Sequence, residues 1–170
     1  FGWGLFASTL VPALALGREP AEPGVMDQPP RPRHTRLLGA GRLLHAYGFL
    51  GVLEAGLALA AFFWAYHVAG WHPGEPMAAS GPLYQRATTM TLAGIVAAQV
   101  GNVFACRTDR ESVVRAGLLR NRLVLGGLAA EVAILAALIL VPPLRTLFGL
   151  APLAPREWGV LLLFPVVVLV

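Results

Sequence analysis

Two carboxylates stand inside otherwise apolar stretches of this chain. Glu54 is the one charge in Ala46–Tyr66, and Glu131 is the one charge in Leu123–Val141. A charge of this kind at the centre of a membrane helix costs roughly 2.5–3.5 kcal/mol on insertion scales, so such residues usually face a bundle interior or a hydrated path. A carboxylate there can bind a cation or carry a proton. The simpler reading is a protonated acid in a polar contact between helices, and both stay open. A third apolar run, Ala87–Cys106, carries no charge, but Gln99, Asn102 and Cys106 fall at i, i+3 and i+7, on one helical face. Their amides offer carbonyl ligands without a titratable proton; a hydrogen bond between helices is the competing role. Cys106, at the edge of the run, reads as packing. His67 and His72 are spaced i, i+5 with Pro73 following, which is no helical metal pair, and a metal site there is not expected. Trp64, Tyr66 and Trp71 read as an aromatic belt at a membrane surface.

The elements that hold these residues follow from composition. The chain has 170 residues, 56% hydrophobic and 13% charged, against about 25% charged in an ordinary soluble domain. Mean hydropathy is +0.66. So few charges cannot cover a soluble globule, and so apolar a chain is not disordered. A membrane protein remains. The three runs are each near the ~20 residues that a spanning helix needs. They are continuous and rich in Ala and Leu, unlike alternating barrel strands. They contain glycines such as Gly94, Gly101 and Gly127. These would weaken a soluble helix but let membrane helices approach closely.

Both ends of the chain are apolar as well. Phe1–Leu16 would reach about 24 Å as a helix, and Trp158–Val170 about 20 Å, both short of a ~30 Å hydrocarbon core. Phe1 is not an initiator Met, and the first run lacks the basic start and short cleavage pattern of a signal peptide. The expectation is a piece of something longer. The expected fold is an all-α membrane bundle of about five helices, three complete and two truncated: 1–16, 46–66, 87–106, 123–141 and 157–170.

All 13 basic residues are Arg. Ten of them sit in loops 17–45 and 107–122, leaving three for loops 67–86 and 142–157. This positive-inside bias places loops 17–45 and 107–122 in the cytoplasm. It also accounts for most of the basic charge, so no nucleic-acid partner is expected. Cys106 is the single cysteine, which excludes an internal disulfide and a cysteine-based zinc cluster. No phosphate-binding glycine loop and no clear internal repeat is present.

Leu10–Arg33 reads LVPALALGREPAEPGVMDQPPRPR. Its Pro12-Ala13, Leu16-Gly17, Glu19-Pro20, Met26-Asp27 and the Pro/Arg run Pro29–Arg33 resemble the segment after the sixth membrane helix of type II P-type cation-transporting ATPases. Leu44-His-Ala-Tyr-Gly48 resembles the start of that family's seventh helix. Gln99-Val-Gly-Asn102 and Cys106-Arg-Thr-Asp-Arg-Glu-Ser-Val113 resemble its eighth helix and cytoplasmic exit. Asn121-Arg-Leu with Gly127-Leu-Ala-Ala-Glu131 resembles the ninth helix, and Phe148–Trp158 the approach to the tenth. The subgroup most alike is the sodium/potassium pump.

The resemblance implies helices six (part) to ten (part) of a ten-helix transport domain in an integral, plasma or inner membrane pump. Partners would be the lipid bilayer, the transported cation and the pump's remaining catalytic and membrane parts. The phosphorylated Asp motif, nucleotide-binding domain and actuator domain of the family precede this region. ATP and Mg thus belong to the full-length parent, and these residues alone would not hydrolyse ATP.

The resemblance also assigns site residues. Glu131 matches a ninth-helix Glu that serves as ion ligand or proton-path residue. Glu54 stands where sodium pumps carry Gln, and Asn102 where they carry Asp. Near the start, Leu5 replaces a common Asn or Asp, Ser8 a common Thr, and Thr9 a near-universal Asp. Hard cations favour charged or carbonyl oxygens, so Ser8 and Thr9 offer weaker ligands. Either the charge comes from Glu54 and Glu131, or transport is altered. Pro12 would free backbone carbonyls nearby. The other readings are a non-enzymatic membrane scaffold derived from a pump and a fragment of a secondary transporter. The latter should show repeat symmetry, which is lacking.

Overall fold

The computed structural model describes residues 14–17, 39–106 and 121–169. Among them, every regular element is helical. Among the described residues, three helices are long and apolar enough to cross a membrane: α1 (Leu44–Val68), α2 (Pro82–Ala105) and α3 (Arg122–Leu140). One helical turn, Ala40–Leu43, leads into α1, whose first part, Leu44–Gly51, is π-helical. Three short helices follow α3: α4 (Pro142–Phe148), α5 (Pro155–Leu161) and α6 (Phe164–Leu169).

The sequence sets most of these boundaries. Gly81 takes a φ of +92° and Pro82 occupies the first helical position, so α2 begins there. Its first turns therefore include Arg86, within the range 67–86 expected as a loop. Asn121 caps α3: its side-chain oxygen accepts from the Leu123 and Val124 amides at 3.0 and 3.3 Å. Val141 is extended before Pro142, which ends α3 and starts α4. Gly149, at φ +64°, closes α4. Within the apolar run expected as one helix over 157–170, the described residues form parts of two short helices rather than one. Pro165 has no N–H, so the carbonyl four residues before it loses its helical partner, and the chain turns at residues 162 and 163.

Small side chains pack the bundle. Ala61 and Ala65 of α1 share a core with Ala87, Met90, Ala93 and Val96 of α2, Leu135 and Ile139 of α3, and Leu161 and Phe164 from the last two helices. A Cβ on Gly94 would meet the Phe164 ring at 3.0 Å and the Ala61 methyl at 3.2 Å. Close backbone approach replaces large-side-chain interdigitation, as expected where lipid removes the hydrophobic drive between helices. The large apolar side chains point outward instead: Leu44, Phe49, Val52 and Leu59 on α1, and Leu123, Val132, Ile134 and Leu140 on α3 are exposed.

Polar contacts tie α2 to the approach to α5. The Arg86 Nε donates to Glu157 Oε1 at 2.6 Å. Glu157 Oε2 accepts from the Ala154 amide, which also caps α5. One turn along α2, Thr89 Oγ1 accepts from the Ala151 amide at 2.9 Å and donates to the Gln85 carbonyl at 2.7 Å.

Candidate ion pathway

Helix α3 buries Glu131 to 1% exposure. Its residues Val124 and Leu128 form a small core with Ala15, against which Val100, Val103 and Phe104 of α2 pack. Farther along α3, Leu135 and Ile139 join the main core with Ala87–Val96 of α2. Glu131 thus lies midway along the α2–α3 seam. Neither of its carboxyl oxygens has a hydrogen-bond partner among the described residues. An unpaired buried polar atom costs about 1–3 kcal/mol, so native structures rarely keep one without a use.

Two more buried acceptors share this property: Oε1 of Glu54 on α1 and Oε1 of Gln99 on α2. The Asn102 side chain of α2 lies beside the Glu54 carboxyl. Asn102 Oδ1 in turn accepts from the Cys106 thiol at 3.3 Å.

The structure therefore sets Glu54 of α1 beside Asn102 of α2, and leaves Glu54 Oε1, Gln99 Oε1 and both Glu131 oxygens as unsatisfied acceptors among the described residues. Leu5, Ser8 and Thr9 lie outside the described residues. Buried acceptor oxygens lacking donors suit a cation or protons. A carboxylate can offer charge, whereas the Asn102 amide can offer only a dipole.

Other residues singled out in the sequence fall elsewhere. His72 is exposed: its amide donates to Glu75 Oε2 at 2.9 Å, and its ring nitrogen lies 3.9 Å from Glu75 Oε1. Among the described residues, no three of His, Cys, Asp and Glu come together. Tyr66 departs from the aromatic-belt expectation. It is 1% exposed, donates its hydroxyl to the Ala78 carbonyl, and packs edge-on against Trp71 with ring centres 6.1 Å apart. A buried phenol needs a partner, and the loop after α1 folds back to give one.

Sequence reasoning missed the Arg86–Glu157 pair. Its members are 71 residues apart, and no local pattern links them. The available signal was Glu157 as the third residue of a helix opened by Pro155, the position from which a Glu reaches back to cap.

Comparison with known proteins places this bundle. Residues 3–170 match the family model for the cation transporting ATPase C-terminus. The chain belongs to that family, and it is an integral membrane segment. It is 28% identical over 177 residues to calcium-transporting ATPase 1 of Bacillus cereus, an alignment covering 99% of this chain and 19% of that protein. It is 28% identical over 146 residues to calcium-transporting ATPase 1 of Yarrowia lipolytica, covering 86% of the chain and 14% of the relative. The sodium/potassium-transporting ATPase subunit alpha-1 of Anguilla anguilla is 26% identical over 174 residues, covering 88% and 17%. The chain thus spans less than a fifth of the length of these relatives.

Proposed function

We propose that this chain forms part of the ion translocation pathway of an ATP-driven cation pump. Glu54 and Glu131 supply its charge, Gln99 and Asn102 its neutral ligands, and Ser8 and Thr9 hydroxyls from the first apolar run. The observation that carries this reading is the set of buried acceptor oxygens on three helices, Glu54, Gln99 and Glu131, that have no donor among the described residues. A scaffold built only for stability gains from replacing such groups with apolar ones.

ATP and Mg act in the pump's other domains. Loops 17–45 and 107–122 face the cytoplasm on their Arg content, and the pump sits in the plasma or inner membrane. Within the class, Arg107-Thr108-x-Arg110-x-Ser112-Val113 favours a sodium/potassium-like pump. The calcium-transporting relatives make calcium the cation to test against it.

The test is ATP hydrolysis by the purified full-length protein with sodium, potassium and calcium varied in turn. Saturable stimulation by at least one cation is expected. Hydrolysis indifferent to all three, in protein that binds ATP, contradicts the pathway reading.

A further inference from the structure

Gly101 stands between Gln99 and Asn102 on α2, and α6 lies directly against it. A Cβ on Gly101 would meet the Pro165 carbonyl oxygen at 2.7 Å, the Pro165 Cα at 2.9 Å and the Val168 Cβ at 2.9 Å. Two of these three atoms are backbone, so no side-chain rotation relieves the contact. On the far side of the seam, Val168 shares a small core with Leu50 of α1 and Ala98 of α2, against which Leu53 and Leu57 pack. Leu53 is the chain neighbour of Glu54. The end of α6 is therefore wedged into the α1–α2 groove at the level of Glu54 and Asn102.

We propose that Gly101 is a positioning residue for the ion pathway: by lacking a side chain it seats the α6 backbone against α2, and this seat fixes Asn102 against Glu54. The role rests on the pathway reading above and adds to it the element that holds the pair in place. The seam is close-packed on both sides. The α2 backbone meets the α6 backbone at Gly101, and α1 closes the groove through Leu50, Leu53 and Leu57. An added methyl must separate α2 from α6. Asn102, the next residue on α2, then shifts relative to Glu54 on α1.

The same seam supplies its own control. Gly94 also packs against α6, but its Cβ would meet side-chain atoms of Phe164 and Ala61. It lies eight residues, about 12 Å of helix, from Asn102. Gly94→Ala perturbs the packing without reaching the pair.

The experiment uses the full-length pump and measures the half-saturating concentration of the stimulating cation and the maximal rate of ATP hydrolysis. Misplacement of a ligand by a fraction of an ångström costs heavily, so Gly101→Ala is expected to raise half-saturation about threefold to tenfold with the maximal rate within about twofold. Gly94→Ala should change half-saturation by less than about 1.5-fold while lowering the melting midpoint. In an Asn102→Ala background, Gly101→Ala should add less than about 1.5-fold, because it acts through Asn102. If Gly101→Ala protein does not accumulate, Val168→Ala loosens the same contact without a clash and is expected to shift half-saturation at least about twofold.

Equal shifts from Gly94→Ala and Gly101→Ala overturn the positioning role, as does a full Gly101→Ala effect in the Asn102→Ala background. Wild-type half-saturation in Asn102→Ala alone removes Asn102 from the pathway, and the positioning role with it. A shifted Asn102→Ala beside an unshifted Gly101→Ala defeats the positioning role alone.

Discussion

Glu131→Gln in the full-length protein is expected to raise the half-saturating cation concentration about tenfold or more, and to alter the pH dependence of cation-stimulated hydrolysis. The magnitude follows from the loss of one charged contact, worth about 1.5–3 kcal/mol, where about 1.4 kcal/mol is tenfold in affinity. Gln keeps the size of the side chain and one carbonyl oxygen, but removes the negative charge and the titratable proton. The competing role is a protonated acid shared between helices, for which Gln is a near-neutral replacement. The geometry favours the first. Glu131 is 1% exposed, and neither carboxyl oxygen finds a donor among the described residues, so there is no interhelical hydrogen bond there for Gln to preserve. Stability gives a second signature. Glu131→Leu should raise the melting midpoint while abolishing cation stimulation, because an apolar side chain removes an unsatisfied buried group. Wild-type cation affinity and an unchanged pH profile in Glu131→Gln would remove Glu131 from the pathway.

Arg86→Ala is expected to destabilise the bundle more than Glu157→Ala does. The two partners are unequally buried: Glu157 is 1% exposed and Arg86 35%. Removing Arg86 strands a buried carboxylate that keeps only the Ala154 amide as donor, a loss of about 3–5 kcal/mol by analogy with broken buried pairs. Removing Glu157 leaves a guanidinium that can reach solvent, so the loss is about 1.5–3 kcal/mol, that of a charged hydrogen bond. The cap on α5 goes with it. Thermal unfolding of the two variants in the same detergent measures the difference. Glu157→Ala melting at or below Arg86→Ala would contradict the asymmetry. Neither variant touches the polar residues of the pathway, so cation half-saturation in protein that remains folded should stay near wild type.

These two predictions draw on different parts of what the sequence disclosed. The burial of Glu131 was legible because an ionisable residue inside an apolar helix is costly and faces the bundle interior rather than lipid. The three long helices were legible for a related reason: composition leaves a chain this apolar little but helices to form in a bilayer. The face carrying Gln99, Asn102 and Cys106 followed from helical spacing. Its partner did not, since spacing on one helix says nothing about which neighbour lies opposite. Only tertiary packing set Glu54 against Asn102. Arg86 read as a loop cation because its run was bounded by charge, whereas Gly81-Pro82 starts the helix earlier. Its link to Glu157 joins segments 71 residues apart, beyond any local signal. Tyr66 was misplaced because an aromatic near a helix end suits either a lipid surface or a core; the Ala78 carbonyl that accepts its proton decided for the core. The break at Pro165 was written in the sequence, since proline cannot continue a helical ladder, but its consequence was not. Short α6 brings its backbone onto Gly101, a contact between segments far apart in the chain.

The central claim is that buried oxygens of this bundle carry a cation moved by ATP hydrolysis. ATP-dependent cation uptake into proteoliposomes holding the full-length protein tests it most directly, with the Glu54→Gln, Glu131→Gln double variant alongside. The account predicts uptake of at least one of sodium, potassium or calcium by the wild-type protein, and its loss in the double variant at subsaturating cation. Uptake unchanged in the double variant would contradict it.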